Sequence, residues 1–100
     1  MLPVKITPRA ADQIEAAANW WRTNRPSAPD ALIEELEKSL GLISRQPRIG
    51  ARAASAKLRG VRQIYLGRVH YVLYYRIRAR PRQVEVLALW HASRGQNPEL

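Results

Sequence analysis

The spacing of the apolar residues changes from a helical to a strand period about halfway along this 100-residue chain. In the first half, one face of a helix collects Ala11, Ile14, Ala18 and Trp21, at intervals of three or four residues. In the second half, apolar or aromatic residues occupy every second position of Val69–Ile77, as in a strand with one buried face. We therefore expect helices that pack on one face of a sheet, which is an α+β architecture.

Two helices are predicted in the first half. Thr7 is expected to cap the first one, with Pro8 at its first helical position, and this helix should end before Pro26. The second helix should start within Ser27–Asp30 and end at Pro47. Because the connection between them is so short, the two helices should form an antiparallel hairpin.

Four strands complete the prediction, and they cover Pro3–Ile6, Leu58–Leu66, Val69–Arg78 and Gln83–His91. Gly67 and Arg68 should form a two-residue hairpin loop in which Gly67 supplies the positive φ. The last strand alternates Val84, Val86 and Ala88 with Leu87 and Leu89. Because it is apolar on both sides, it should lie inside the sheet.

The resulting order is β-α-α-β-β-β, with a helix hairpin packed on a mainly antiparallel four-stranded sheet. Residues 1–100 are expected to form a single domain, in which residues 92–100 are a weakly ordered C-terminal tail. Among the aromatic residues, Trp21, Tyr71 and Tyr75 fall on the core faces. Trp20 and Tyr74 fall off these faces, and an exposed Trp20 is a candidate anchor for a partner protein.

Positive charge is concentrated in the second half of the chain. The net charge is +9, but residues 1–40 carry five basic and six acidic side chains, whereas residues 41–100 carry twelve basic and two acidic ones. Eleven of those twelve basic residues are Arg, which is suited to bidentate recognition of phosphates and carboxylates. This distribution favours a nucleic acid, a nucleic-acid-bound machine or an acidic protein as the partner. The alternative is a solvated basic face without a partner.

Several classes of chemistry lack support in the sequence. The chain has no cysteine, so it has neither a disulfide framework nor a thiolate site. We find no serine-nucleophile elbow, no spacing of metal ligands and no phosphate-binding glycine loop, so we expect neither a metal nor a cofactor. The N-terminus has no apolar segment typical of a signal peptide, and no apolar run could span a membrane. We therefore expect a cytoplasmic protein without membrane contacts.

A basic face remains on the predicted strands. It contains His70, His91 and the arginines Arg59, Arg62, Arg68, Arg76, Arg78, Arg80, Arg82 and Arg94. One interpretation is that His91 acts as a general acid or base, with nearby arginines stabilising charge during RNA cleavage. The other is that His91 is a hydrogen-bonded residue at the end of a strand, beside solvated arginines. A plain nucleic-acid-binding module is less favoured, because neither predicted helix is basic enough for a groove-reading helix.

Five segments together resemble the ParE branch, also called the plasmid-stabilisation type, of the RelE/ParE superfamily of bacterial toxins. They are Thr7–Ala10, Ser44–Gly50, Arg59–Arg62, Tyr71–Arg76 and Val84–Arg94, and the resemblance extends over nearly the whole chain. It implies a toxin of a type II toxin–antitoxin pair, in a hetero-oligomer with a small antitoxin protein. ParE-like members are described as inhibitors of DNA gyrase, whereas RelE-like members are ribosome-dependent mRNA endonucleases on the same fold.

The resemblance also suggests which residues carry the function. In the gyrase interpretation, we predict a target-binding surface that includes Arg59, Arg62, Arg76, His91 and Arg94. The predicted antitoxin-binding residues are Trp20, Arg76 and Arg78. In the endonuclease interpretation, the catalytic residues would be His91, Arg62 and Arg94. The ending His91–Arg94 resembles the ParE type more closely, which favours a gyrase-inhibiting protein without a catalytic residue.

Overall fold

Two helices pack on one face of a five-stranded mixed sheet in the computed structural model, which describes residues 1–100. In chain order, the elements are β1 (Val4–Ile6), α1 (Pro8–Asn24), α2 (Ala31–Arg45), β2 (Ala51–Arg52), β3 (Arg62–Leu66), β4 (Tyr71–Ala79) and β5 (Arg82–His91). The strand order is β1-β5-β4-β3-β2, in which only β1 and β5 are parallel. This confirms the predicted α+β class. The predicted strand count of four was wrong, because the two residues of β2 are too few to show an alternating pattern.

The two helices begin differently. The hydroxyl of Thr7 accepts a hydrogen bond from the Ala10 N–H at 3.2 Å, which confirms the predicted cap of α1. The second helix begins at Ala31, just beyond the predicted Ser27–Asp30. Asp30 is its N-cap but makes no capping hydrogen bond through its side chain. Neither helix is long and apolar enough to cross a bilayer.

The β3–β4 hairpin departs from its prediction at both ends. The predicted strand over Leu58–Leu66 begins only at Arg62, because Gly60 has a φ of +74° and turns the chain just before it. The loop extends from residue 67 to residue 70, and the positive φ of 60° belongs to His70 rather than to Gly67. Val69 is almost fully buried in the main core, so burial rather than strand pairing fixes its position.

A β-bulge in β5 changes which side chains face the helices. Tyr74 pairs with Ala88 and Tyr75 with Val86, so Leu87 has no partner on β4. The helix-facing core therefore contains Val84, Val86 and Leu89, whereas Leu87 and Ala88 both lie in a second cluster on the opposite face. The strict alternation predicted for this strand was wrong, because one extra residue shifts the side-chain pattern by one position.

Irregular segments cover the face of the sheet opposite the helices. Ala53, Val61 and partly buried Leu100 pack there against Tyr74, which is only 4% exposed. The tail 92–100 contains no helix or strand, and the carbonyl oxygen of Leu100 accepts backbone hydrogen bonds from the loop before β3. Tyr74 lies off the helix-facing core, as predicted, but it is buried in a second cluster. That cluster was not predicted, because the covering segments have no periodic pattern that would reveal a second apolar face.

Tyr75 joins the sheet to the segment that follows α2. Its side chain is fully buried, and its hydroxyl donates to the Pro47 carbonyl at 2.7 Å and accepts from the Gly50 N–H at 2.9 Å. A Cβ at residue 50 would lie 2.7 Å from that hydroxyl, so only glycine fits there. Burial raises the pKa of Tyr75, with partial opposition from the Gly50 bond and from Arg62, so the hydroxyl keeps the proton that it donates.

Tyr75→Phe should lower the free energy of unfolding by about 1–3 kcal/mol, because it leaves the buried N–H of Gly50 and the partly buried carbonyl of Pro47 without their partner. Urea-induced unfolding followed by circular dichroism measures this change. Tyr65→Phe is the matched control: the Tyr65 side chain is 56% exposed, so removal of its hydroxyl should change stability by only about 0.5 kcal/mol. Equal losses in the two variants would contradict the structural role of the Tyr75 hydroxyl.

Candidate functional site

Two histidines and two tyrosines meet where the β3–β4 turn lies beside the end of β5. Tyr71 pairs directly with His91 across the strands, and the Ala92 N–H donates to the carbonyl of His70 at 2.9 Å. The His91 ring makes edge-to-face contacts with His70 and Tyr71, with centroid distances of 5.4 and 5.0 Å. The hydroxyl of Tyr65 lies 2.5 Å from His70 Nδ1. We call this group the histidine end of the sheet.

Hydrogen bonds fix the orientation of both imidazole rings. The backbone N–H of Ser93 donates to His91 Nδ1 at 3.1 Å, which leaves Nε2 as the N–H of the neutral ring. His70 is bonded at both nitrogens, to the Tyr65 hydroxyl through Nδ1 and to Ser93 Oγ through Nε2 at 2.9 Å. Only His91 therefore retains a ring nitrogen without a protein partner.

Ser93, His70 and Tyr65 are joined by hydrogen bonds in the order of the nucleophile, base and orienting group of a serine hydrolase. Acyl transfer would also need backbone donors for an oxyanion. The neighbouring N–H groups are already used, since Ser93 donates to His91 Nδ1 and Arg94 donates to the His91 carbonyl. The arrangement therefore does not support a hydrolase. No group of His, Asp or Glu side chains converges in a way that could hold a metal ion.

A depression of about 250 Å³ lies between α1 and the histidine end. We call it the Trp20 depression, and its principal lining residues are Gln13, Ala16, Trp20, Tyr71, His91 and Arg94. Trp20 is 45% exposed, which confirms that it lies off the core face of α1. The structure thus brings a residue predicted to bind the antitoxin together with two predicted to bind the target.

The Arg94 guanidinium stacks on the ring of Trp90, 3.8 Å from the ring centroid. The residue is exposed and forms no ion pair, so its positive charge faces solvent. Trp90 packs on the face of the sheet opposite the helices, so Arg94 lines the depression from the end of the sheet. Burial raises the pKa of Tyr71, and the charge of Arg94 partly opposes this rise. Arg94 therefore provides a positive charge beside a protonated phenol.

Arg62 lies at the end of β3 that is remote from the histidine end. It begins β3 and pairs with Tyr75, whereas Leu66, four residues further on, pairs with Tyr71 at the histidine end. At strand spacing, these four residues correspond to about 13 Å. Arg62 Nη1 donates to the carbonyls of Arg48 at 3.1 Å and of Gly50 at 2.8 Å. His91 and Arg94 thus lie together, but Arg62 does not lie with them.

The remaining predicted residues are also distributed over separate places. Arg59 is exposed in the loop before β3 and lines a second depression near Arg62. Arg76 and Arg78 lie on β4 and hold the buried carboxylate of Glu85 between them, at 2.7 and 3.4 Å. The two antitoxin residues predicted on β4 are therefore not next to Trp20.

The sequence analysis did not assign the roles of Tyr65 and Ser93 beside His70. The histidine end itself could have been found from the hairpin register. A turn after Leu66 places Tyr71 opposite the end of the last strand and hence beside His91. The position of Ser93 depends on the chain reversal after β5, for which the sequence contains no comparable pattern.

Comparisons with known proteins support the fold and a family. A family model described as ParE toxin of type II toxin-antitoxin system, parDE, matches residues 4–95. Among solved structures, a chain of a chromosomal ParDE toxin–antitoxin system from P. aeruginosa is similar, with a TM-score of 0.74, 18% identity and coverage of 93% of this chain and 98% of that one. A chain of the toxin–antitoxin complex RelBE2 from Mycobacterium tuberculosis is also similar, with a TM-score of 0.62, 25% identity and coverage of 90% of this chain and 96% of that one. A search of curated protein sequences finds no match.

Proposed function

Since the chain belongs to the ParE toxin family of type II toxin–antitoxin systems, we propose that it inhibits bacterial growth by binding DNA gyrase. One observation carries this proposal, namely that the residues needed for a catalytic mechanism are dispersed. Arg62 lies far from His91 and Arg94, and the ring nitrogens of His70 are both engaged within the protein. An inhibitor that acts by binding needs complementary surface and charge, but not an assembled acid–base pair.

The charge distribution supports the same proposal. Twelve of the seventeen basic residues lie in residues 41–100, which carry only two acidic residues. A positive field of this kind attracts a protein that is itself bound to DNA, and equally an acidic antitoxin. A cognate antitoxin that neutralises the toxin is therefore part of the proposal.

A second candidate function is ribosome-dependent cleavage of mRNA. The observation that favours it is the histidine end, where His91 has a free Nε2 near Tyr71 and Arg94. In this mechanism, His91 would move a proton and Arg94 would stabilise charge on the phosphate. This function is less favoured, because both ring nitrogens of His70 are hydrogen-bonded within the protein and Arg62 lies far from His91 and Arg94.

The purified protein should inhibit the supercoiling of relaxed plasmid by purified gyrase, whereas relaxation of the same plasmid by a type I topoisomerase should be unaffected. Loss of the hydrogen bond to His91 costs about 0.5–1.5 kcal/mol of stability. His91 is one residue of a larger predicted target surface and has no catalytic role in this proposal, so folded His91→Ala should weaken the inhibition of gyrase without abolishing it. Reporter mRNA should remain intact in a translation reaction that contains ribosomes. Cleavage of that mRNA by the protein, together with normal supercoiling, would refute the gyrase proposal in favour of the endonuclease.

A further inference from the structure

The Trp20 depression combines an apolar wall with a rim of hydrogen-bond donors. The wall is the exposed part of α1, where Ala16 and Trp20 are one helical turn apart. The strand side provides His91 and Arg94. No Asp or Glu lines the depression, although α1 itself carries acidic residues on other faces.

Two polar side chains at this rim, Gln13 and His91, are donors whose acceptor atoms are already used. The Oε1 atom of Gln13 accepts the Leu89 N–H at 2.9 Å, which leaves the amide NH₂ group as the free end of this side chain. His91 Nδ1 accepts from Ser93, so its Nε2–H is a donor. Arg94 and the protonated Tyr71 hydroxyl line the same depression and add further donors, and no carboxylate lines the space. Such a space is suited to a carboxylate.

Trp20 is held in place before any partner binds. The guanidinium of Arg25 lies 5.2 Å from its ring centroid, and the ring of Trp21 lies against it at 6.2 Å. Trp21 is in turn fixed, because its Nε1–H donates to the Ala28 carbonyl at 2.8 Å. A rigid, exposed aromatic ring loses little conformational entropy on binding, which makes it an effective anchor.

We propose that the Trp20 depression binds an acidic segment of the antitoxin, with an apolar side chain against Trp20 and a carboxylate on the Gln13, His91 and Arg94 donors. This inference rests on the proposed function, and it adds a mechanism of neutralisation. Because His91 and Arg94 also belong to the predicted target surface, the bound antitoxin covers that surface directly. The toxin bound to its antitoxin therefore cannot engage its target through Arg94.

A single-stranded nucleic acid could also stack a base on Trp20 and place a phosphate on Arg94. The charge of the helices favours the peptide, because residues 1–40 carry six acidic against five basic side chains and so provide no positive track for a continuous phosphate backbone. A continuous phosphate backbone that crosses α1 would find no net positive charge there, because Arg9 and Arg22 are balanced by Asp12 and Glu15. An acidic peptide needs only to place single carboxylates on the donors. Nucleic acid is therefore an outcome of the test and not the proposal.

The test measures the binding of the protein encoded by the adjacent reading frame, by isothermal titration calorimetry with the full-length toxin and three variants. Trp20→Ala removes the anchor, Arg94→Glu reverses the rim charge, and Ala16→Leu fills the depression without removing any group. Each should weaken binding by about 10- to 100-fold, as expected for central interface residues. Thermal unfolding by circular dichroism verifies that each variant is folded.

Three control variants make comparable substitutions at surface positions outside the Trp20 depression. Ile49→Ala removes a different apolar side chain that is 48% exposed, and Arg80→Glu makes the same charge change at the exposed β4–β5 turn. Ala11→Leu adds the same bulk on another face of α1, where Ala11 lines a separate groove. All three should bind within about twofold of the unmodified toxin, because isolated surface changes outside an interface cost little.

The outcomes separate the two proposals. If the unmodified toxin does not bind the adjacent product, the proposed toxin–antitoxin function fails. If it binds but Ala16→Leu and Trp20→Ala bind equally well, or Ala11→Leu is weakened as much, only the assignment of the depression fails. Binding of a single-stranded RNA oligonucleotide that depends on Trp20, with antitoxin affinity unchanged, would also overturn it. Inhibition of gyrase by the preformed toxin–antitoxin complex would overturn the occlusion mechanism.

Discussion

Production of this protein without its antitoxin should arrest the growth of a bacterial host, and Arg94→Glu should relieve the arrest much more than His91→Ala. Reversal of a charge inside a recognition surface introduces repulsion worth several kcal/mol, so the inhibitory dose should rise by about tenfold or more. Growth rate against inducer concentration, at protein levels matched by immunoblot, measures this. Co-expression of the antitoxin should restore growth of cells that carry the unmodified toxin.

Arg94 gives a cleaner test than the other arginines of the predicted target surface. Its guanidinium stacks on Trp90 and forms no ion pair, so reversal of its charge breaks no buried contact. Arg62 instead donates to two backbone carbonyls, and Arg76 contacts a buried carboxylate. Loss of toxicity on reversal at those two positions would combine a loss of binding with a loss of stability.

His91→Ala separates the two candidate functions. For a gyrase inhibitor, we expect a DNA-damage response and filamentation with intact mRNA, and the variant should remain toxic. For an endonuclease, loss of a general acid or base lowers the rate by about 10²- to 10⁴-fold, so the arrest should disappear in a folded protein. Cut messages in cells that produce the unmodified toxin, absent with His91→Ala, would contradict the proposed function.

Regular periodic patterns made most of the fold predictable from the sequence. The alternation in β4 and the cap at Thr7 each depend on neighbouring residues, and both are present in the structure. The bulge at Leu87 was missed because an apolar residue fits either face of an interior strand, so the sequence does not show where the alternation shifts. Burial of Tyr74 was missed because it depends on an irregular loop and on Leu100, which are distant in sequence.

The candidate site was predictable only in part, for a reason of strand geometry. His91 and Arg94 are close in sequence and remain close in space. Arg62 was grouped with them by residue type, although the hairpin register places the start of β3 opposite Tyr75, four residues along β4 from the Tyr71 that pairs with His91. The proximity of Trp20 to Arg94 depends on how α1 lies across the sheet, and local patterns do not encode that packing.

Glu85→Ala should lower the free energy of unfolding by about 2–4 kcal/mol, because it removes the only carboxylate that balances two neighbouring arginines on the sheet. The side chain of Glu85 is 10% exposed and that of its partner Arg76 is 24% exposed, so their contact is largely shielded from water. Arg78 is 42% exposed and can turn towards solvent, which limits the loss. Urea-induced unfolding measures the change, and Arg68→Ala is the control. Its pair with Glu34 is more than half exposed on both sides and should contribute less than about 1 kcal/mol.

The double variant Arg76→Met with Glu85→Leu distinguishes the structural role of this pair from a role in binding. Replacement of a buried ion pair by apolar residues of similar volume is often neutral, so the double variant should recover to within about 1 kcal/mol of the unmodified protein. A double variant as unstable as Glu85→Ala would contradict this. If the stable double variant still arrests growth, Arg76 contributes to the fold and not to the target surface. If it is folded but no longer toxic, Arg76 extends that surface from the histidine end across the opposite face of the sheet.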